Sequence, residues 1–167
     1  MADQPEMKRP ASAERIAVKV ADLRAQSVCY ICHDLATGEV FSDQPVILED
    51  ERFRVVLDLN PKARGHTIVV YKPHRADFTD LMPEETAALF TLCTRVANAI
   101  KQGLGAEKVY LVTMCDGAIN HLHVQLLPRY AGEAIGSKRF VGRRVPIEGG
   151  EEVAATIRGA LPHLRKS

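Results

Sequence analysis

Polar and apolar residues alternate with a period of two between Asn120 and Arg129, and this alternation predicts a β-strand. One face of the strand would carry His121, His123 and Gln125, and the other Leu122, Val124 and Leu126. Pro128 is expected to end it. Neighbouring histidines on one face can line a site in which one is a nucleophile or base and the other orients it or binds a metal. A half-exposed strand with solvated histidines has the same pattern.

Short apolar or β-branched runs bounded by turn residues predict four further strands. They cover residues 45–49, 53–59, 66–71 and 108–113. The first two are expected to form a hairpin, because only a short charged turn separates them. Asp116 and Gly117 predict a tight turn that makes the strand over 108–113 an antiparallel neighbour of the histidine strand.

Apolar residues at helical spacing predict three helices, over residues 13–26, 83–103 and 151–160. Ser12 could cap the first, which is amphipathic and would pack either on its own domain or in a dimer contact. Pro83 suits the first position of the second helix, but Met82 before it is a poor cap. Thr79 or Asp80 is expected to serve instead. Cys93, beside the apolar stripe, is expected in the core.

Composition indicates a globular protein of one domain with short terminal additions. The chain has 167 residues, of which 46% are hydrophobic and 26% charged. Lys and Arg number 22 against 21 Asp and Glu, so the net charge of +1 gives no general case for binding nucleic acid or a membrane surface. No apolar run could span a bilayer, and the polar leader over residues 1–10 lacks a secretory signal. We therefore expect a cytoplasmic protein.

Several polar residues outside the histidine strand allow two interpretations each. Asp58, in an apolar strand, is either a strand-end acid facing water or a cleft acid that accepts two hydrogen bonds from a sugar diol. His66 could be a fourth catalytic group, but its position at the start of a strand after Gly65 favours a hydrogen-bonded structural residue near the site. Cys29 and Cys32 look like metal ligands or ordinary reduced thiols. Four cations within seven residues form either a solvated loop or a grip for an anionic acceptor: Lys138, Arg139, Arg143 and Arg144.

Five motifs, in order between residues 28 and 130, resemble the histidine triad (HIT) superfamily. They are Cys29-x-x-Cys32, Leu57-Asp58-Leu59 with Pro61, Gly65-His66-Thr67-Ile68-Val69-Val70, Lys72-Pro73-His74, and His121 to Arg129. The resemblance implies an α+β fold, in which a five-stranded antiparallel half-barrel carries two main helices, with an N-terminal and a C-terminal helix added. It also implies a homodimer. The expected parts are a leader and helix over 1–27, a HIT domain over 28–130, and a basic segment with a helix over 131–167.

The resemblance also implies residue roles. His123, the middle triad member, would attack the α-phosphate of a nucleotide and form a covalent nucleotidyl-histidine, with His121 and Gln125 beside it. Asp58 would hold the ribose, and the base would lie among Tyr30, Ile31, Val56 and Leu59. A structural zinc would be bound by Cys29, Cys32, His74 and His121. Thiolates and imidazoles suit zinc, but these ligands are far apart in sequence, and His33 and Cys115 are possible rivals. A bound zinc would fix the rotamer of His121.

Gln125 stands where most family members have a third histidine, and it resembles the branch of galactose-1-phosphate uridylyltransferase and the dinucleoside tetraphosphate phosphorylases. Its amide can hydrogen-bond a phosphate oxygen but cannot exchange a proton, which favours a good leaving group and an anionic acceptor such as inorganic phosphate. The phosphate loop of the family is short here, so Asn120, Lys138 and Arg139 are the expected phosphate contacts.

These residues predict a nucleotidyltransferase or phosphorylase that acts on a nucleotide or dinucleoside polyphosphate. The alternatives are a hydrolase of dinucleoside polyphosphates or nucleoside phosphoramidates, and a zinc-stabilised nucleotide-binding module with little turnover. No membrane or nucleic-acid partner is expected.

Overall fold

The computed structural model describes residues 11–115 and 117–161, and the side chains of Ala11 and Ser12 are not described. The predicted leader over 1–10 and the Asp116 half of the predicted turn lie outside these residues. The chain divides into two compact units, residues 1–42 and 43–167. No helix in the described part of the chain has the length and apolar character needed to cross a membrane.

The first unit contains two helices, α1 (Ala11–Ala25) and α2 (Tyr30–Thr37). Helix α1 confirms the amphipathic helix expected at 13–26. Helix α2 has no counterpart in the sequence prediction, because it is only eight residues long and a cysteine caps it: the Cys29 sulfur accepts a hydrogen bond from the Cys32 backbone N–H at 3.5 Å. Gly38 ends it at a φ of +71°, a conformation that favours glycine.

The second unit is built on a five-stranded antiparallel sheet with the order β1-β2-β3-β5-β4. Its strands are β1 (Val46–Glu49), β2 (Phe53–Leu57), β3 (Thr67–Tyr71), β4 (Lys108–Val112) and β5 (His123–Arg129). All five predicted strands are therefore confirmed, as is the hairpin of β1 and β2. Strands β4 and β5 are antiparallel neighbours, as expected.

Helices α3 (Pro83–Leu104) and α4 (Gly150–Ala160) pack on one face of this sheet, which we call the helix-packed face. Strand β5 and the residue before it contribute Leu122, Val124 and Leu126 to the core on this face. The helices contribute Leu89, Cys93, Val96, Ile100, Val153 and Ile157. The core position predicted for Cys93 is thus confirmed, since only 1% of its surface is exposed.

His123 and Gln125 lie on the opposite side of β5 from this core, and both are half-buried. They pair across the strands with Val70 and Ile68 of β3. We call this side, defined by these four residues, the histidine face. Over residues 123–126, alternation therefore separates packing from polar side chains within one strand.

Two local predictions are wrong. Thr79 and Asp80 do not cap α3; they belong to a separate 3-10 turn (Phe78–Asp80) whose cap is Asp77. The Glu85 carboxylate instead accepts the Met82 backbone N–H at 2.9 Å. The histidine strand begins at His123 and not at Asn120, so His121 lies before it.

Candidate active site and metal centre

The tautomer of His123 is set by its own chain. Its Nδ1 lies 2.9 Å from the backbone carbonyl oxygen of His121. A carbonyl oxygen can only accept, so Nδ1 carries the hydrogen and donates it. In the neutral ring the lone pair is therefore on Nε2, the nitrogen that points away from this contact. The side chain is half-buried on the histidine face, as a nucleophile needs to be.

His121 has the opposite tautomer to His123. Its Nε2 lies 2.7 Å from the backbone carbonyl oxygen of Tyr71, so Nε2 donates and Nδ1 keeps the lone pair. Only 4% of the residue is exposed, and burial is the main reason that its pKa is lowered. A neutral imidazole with a lone pair on one ring nitrogen is the form that binds a metal ion.

Cys29, Cys32, His74 and His121 form a group that could hold a metal ion, because their ligand atoms all lie within 4.8 Å of one another. For comparison, tetrahedral zinc with bonds of about 2.0–2.3 Å has ligand atoms roughly 3.3–3.8 Å apart. Two sulfurs and two imidazole nitrogens are a donor set that zinc prefers. The ligand set implied by the resemblance is confirmed as such a group.

The Cys32 thiol of this group needs a nearby cation to ionise at neutral pH. Burial raises the pKa of Cys32 to about 11, and the neighbouring Cys29 adds to the effect. A divalent cation favours the thiolate strongly enough to reverse such a shift.

Neither rival ligand belongs to this group. The His33 ring nitrogen Nε2 lies 3.0 Å from a carboxylate oxygen of Glu39, which also binds Lys19. The Cys115 sulfur lies 3.9 Å from the His121 carbonyl oxygen and 3.4 Å from the Thr113 hydroxyl.

Asp58 and His66 meet where β2 ends and β3 begins. The Asp58 oxygen Oδ2 lies 3.2 Å from His66 Nδ1, and Oδ1 accepts the Asn60 backbone N–H at 2.8 Å. The Lys62 backbone N–H also lies 3.2 Å from His66 Nδ1, so this nitrogen either donates to Asp58 or accepts from Lys62. His66 is hydrogen-bonded, as interpreted from the sequence.

Burial and polar neighbours shift the pKa of His66 in opposite directions. Burial, the largest cause, lowers the pKa, while Asp58 and Gln125 favour the charged form. The buried Nε2 of His66 has no hydrogen-bond partner among the described residues.

The four cations of the basic stretch have different surroundings. Arg139 pairs with Glu133 at 3.0 Å, and its side chain is only 11% exposed. Arg144 instead reaches the Asp58 carboxylate at 3.7 Å and donates to the Asn60 carbonyl oxygen. Lys138 and Arg143 are exposed. Arg144 is therefore the cation of this stretch that the structure places at a predicted site residue.

A cavity of about 310 Å³ opens beside Asp58 and His66. Its other walls are mostly apolar and include Leu57, Pro61 and Val145. Such a volume suits a small ligand with an apolar body and a few polar contacts.

The other residues expected at the nucleotide site differ in how deeply they are buried. Val56 and Ile31 are buried, whereas Tyr30 and Leu59 are half-buried. Asn120 is half-buried immediately before His121. Their roles in binding a base or a phosphate stay predictions.

The family model of the HIT domain matches residues 40–132, which make up more than half of the chain. The chain belongs to the HIT family. An uncharacterized HIT-like protein of Methanocaldococcus jannaschii is 31% identical over 110 residues, which cover 64% of this chain and 82% of that protein. The adenylylsulfatase HINT3 of Arabidopsis thaliana is 25% identical over 150 residues, which cover 87% of this chain and 74% of HINT3.

A solved structure with the same fold binds zinc. A Zn-bound histidine triad family protein from Mycobacterium smegmatis is 31% identical, with a TM-score of 0.62 over 80% of this chain and 92% of that one. The chain is thus a HIT-family protein, and one of the relatives it resembles, HINT3, is an adenylylsulfatase.

Proposed function

We propose that this HIT protein transfers a nucleotidyl group from a nucleotide or dinucleoside polyphosphate to inorganic phosphate, through a covalent intermediate on His123. The observation that carries the proposal is the hydrogen bond from His123 Nδ1 to the His121 carbonyl oxygen. It leaves the Nε2 lone pair of the neutral ring available for attack, so no separate base is needed.

The reaction would take two displacements at phosphorus. In the first, the Nε2 lone pair attacks the α-phosphorus, an N–P bond forms, and the P–O bond to the leaving polyphosphate breaks with its electron pair on that oxygen. The His121 carbonyl oxygen stays on the Nδ1 hydrogen and so stabilises the ring as it becomes positive. In the second, an oxygen of the acceptor attacks phosphorus and the N–P bond breaks.

Gln125 is the residue that favours phosphate over water as acceptor. Its amide N–H groups can bind a non-bridging phosphate oxygen as charge develops, but they cannot deprotonate a water. An anionic acceptor needs no such help. The neighbouring cations Lys138, Arg143 and Arg144 are the candidates to hold it.

Asp58 would accept hydrogen bonds from the ribose hydroxyls of the substrate. Its carboxylate is 16% exposed, and its oxygen Oδ1 accepts the Asn60 backbone N–H, while Oδ2 lies 3.2 Å from His66 Nδ1. Zinc, when bound by its four ligands, would be structural, because two of the ligands are thiolates and the four protein donors complete a tetrahedral shell. Homodimerisation and a cytoplasmic location belong to the same proposal.

Hydrolysis is the second candidate, because HINT3 is named for hydrolysis of an adenylyl compound. It would use the same intermediate, with water as the acceptor in the second step. The two candidates predict different products from one substrate.

A turnover assay with diadenosine tetraphosphate, with and without inorganic phosphate, separates them. ADP and ATP formed only when phosphate is present would support the phosphorylase. AMP formed regardless of phosphate would show the hydrolase instead. Tight nucleotide binding with no product from this or other nucleotidyl donors would indicate a binding module and overturn both.

A further inference from the structure

Glu85, in the first turn of α3, binds three different groups with one carboxylate. Oε1 accepts the Tyr71 hydroxyl and the Arg75 guanidinium, each at 2.7 Å. Oε2 accepts the Met82 backbone N–H at 2.9 Å and a second Arg75 N–H at 3.4 Å. These donors, Met82 first, lower the pKa of Glu85 to about 2, so the group is ionised at neutral pH.

Two of these partners, Tyr71 and Arg75, stand on either side of His74 in the chain. Each also holds the segment that carries His121. The Tyr71 carbonyl oxygen accepts from His121 Nε2 at 2.7 Å, and the Arg75 carbonyl oxygen accepts the Leu122 backbone N–H at 2.7 Å. The rings of His74 and His121 lie edge to face, with centroids 5.2 Å apart. A single carboxylate therefore anchors both ends of the loop that brings the two imidazoles together.

We propose that Glu85 is a positioning residue for the two histidine ligands of the metal group, acting through Tyr71 and Arg75. Without the carboxylate, the loop from Tyr71 to Arg75 loses two side-chain anchors. The two imidazoles must then be ordered when the ion binds, and the conformational entropy lost in that step lowers the metal affinity. The proposal concerns the metal group alone and does not depend on the nucleotide chemistry of His123.

Glu85 also has a structural role, because it caps the helix by accepting the Met82 N–H. Gln at the same helix position keeps this bond, since Glu and Gln serve equally in a capping box. Because the amide has only one oxygen, its NH2 group then stands where Oε1 accepted the Tyr71 hydroxyl and the Arg75 guanidinium. Glu85→Gln therefore removes the acceptor for Tyr71 and the charged, two-pronged contact with Arg75. This substitution therefore separates positioning from capping.

Glu84 provides a matched control. It is the preceding residue of the same helical turn, it is exposed, and Glu84→Gln removes the same charge from the positive end of the helix. Within the described residues, the bonds of the Tyr71 hydroxyl and the Arg75 guanidinium to a carboxylate go to Glu85 and not to Glu84. Cys32→Ser removes one of the four ligands and should therefore have the lowest zinc affinity of the variants.

The experiment measures zinc affinity of the full chain, purified without a metal-affinity tag, by competition with a chromogenic chelator. The absorption spectrum of the cobalt(II)-loaded protein reports the geometry of the ligands. We expect Glu85→Gln to lose about tenfold in zinc affinity and to change the cobalt spectrum. Glu84→Gln should stay within about twofold of the parent chain, because no metal contact depends on it.

Zinc affinity and cobalt spectrum that are equal in Glu85→Gln and Glu84→Gln would overturn the proposal, whatever happens to the melting temperature. So would a parent chain that binds no zinc. Should Glu85→Gln fail to fold, Tyr71→Phe removes one anchor and keeps the carbonyl oxygen that binds His121; the proposal then requires a smaller but measurable loss of zinc affinity.

Discussion

The two faces of strand β5 differ in how strictly they specify their side chains. On the helix-packed face, Leu122, Val124 and Leu126 fill space against α3 and α4, and any side chains of similar volume would satisfy the same demand. On the histidine face, the proposed roles of His123 and Gln125 depend on contacts with single atoms. One example is the His121 carbonyl oxygen, which fixes the tautomer of His123. Successive residues of one strand thus provide stability and chemistry almost independently.

The largest effect that would test this division comes from His123→Ala. Removal of the proposed nucleophile should lower turnover by at least about 10³-fold. Nucleotide affinity and the melting temperature should change little, because the side chain is half-buried and not part of the core. Equilibrium binding and single-turnover kinetics measure the two quantities separately. Substantial residual turnover would disprove the covalent mechanism.

Neighbouring residues on opposite faces give the next prediction. Leu126→Ala should reduce the free energy of unfolding by about 2–5 kcal/mol, because Leu126 is only 1% exposed in the core. Turnover per folded molecule should persist. Gln125→Ala should do the reverse, with a loss of stability under about 1 kcal/mol and slower turnover. Denaturant titration and activity assays on both variants check the pair; equal losses of stability would show that the faces are coupled.

The smallest expected effect refines the chemistry of the histidine face. Gln125→His introduces a group that can exchange a proton with water or a leaving group. The fraction of intermediate captured by water should rise several-fold relative to phosphate, with the total rate changed less. Product ratios at several phosphate concentrations measure this partition. An unchanged ratio would mean that another residue selects the acceptor.

Periodicity and short motifs predicted most of the sheet. Alternation in β5 identified which residues face the helices, and the spacing of apolar residues located α3 and α4 within one or two residues. The four metal ligands followed from motif resemblance, and their convergence is confirmed. These predictions succeeded because each depends on a repeating pattern or on a residue type with few alternative uses.

Other features could not be read from the sequence, since they depend on single contacts between distant residues. Helix α2 has an unusual cysteine cap and too few residues to show a period. His121 leaves the strand because its ring is held by the Tyr71 carbonyl oxygen, fifty positions away in the chain. The link between His66 and Asp58 required the closure of the loop between β2 and β3.

Helix α4 has a consequence for biosynthesis. Its Ile157 and Ala154 are fully buried, and Arg158 donates to the carbonyl oxygen of Val46, 112 positions earlier. The edge hairpin of β1 and β2 therefore leaves the ribosome long before the helix that covers it. At ordinary translation rates the delay is roughly 5–20 s, during which apolar strand residues are open to aggregation or to a chaperone. Expression should consequently be sensitive to the speed of translation through the residues that precede α4.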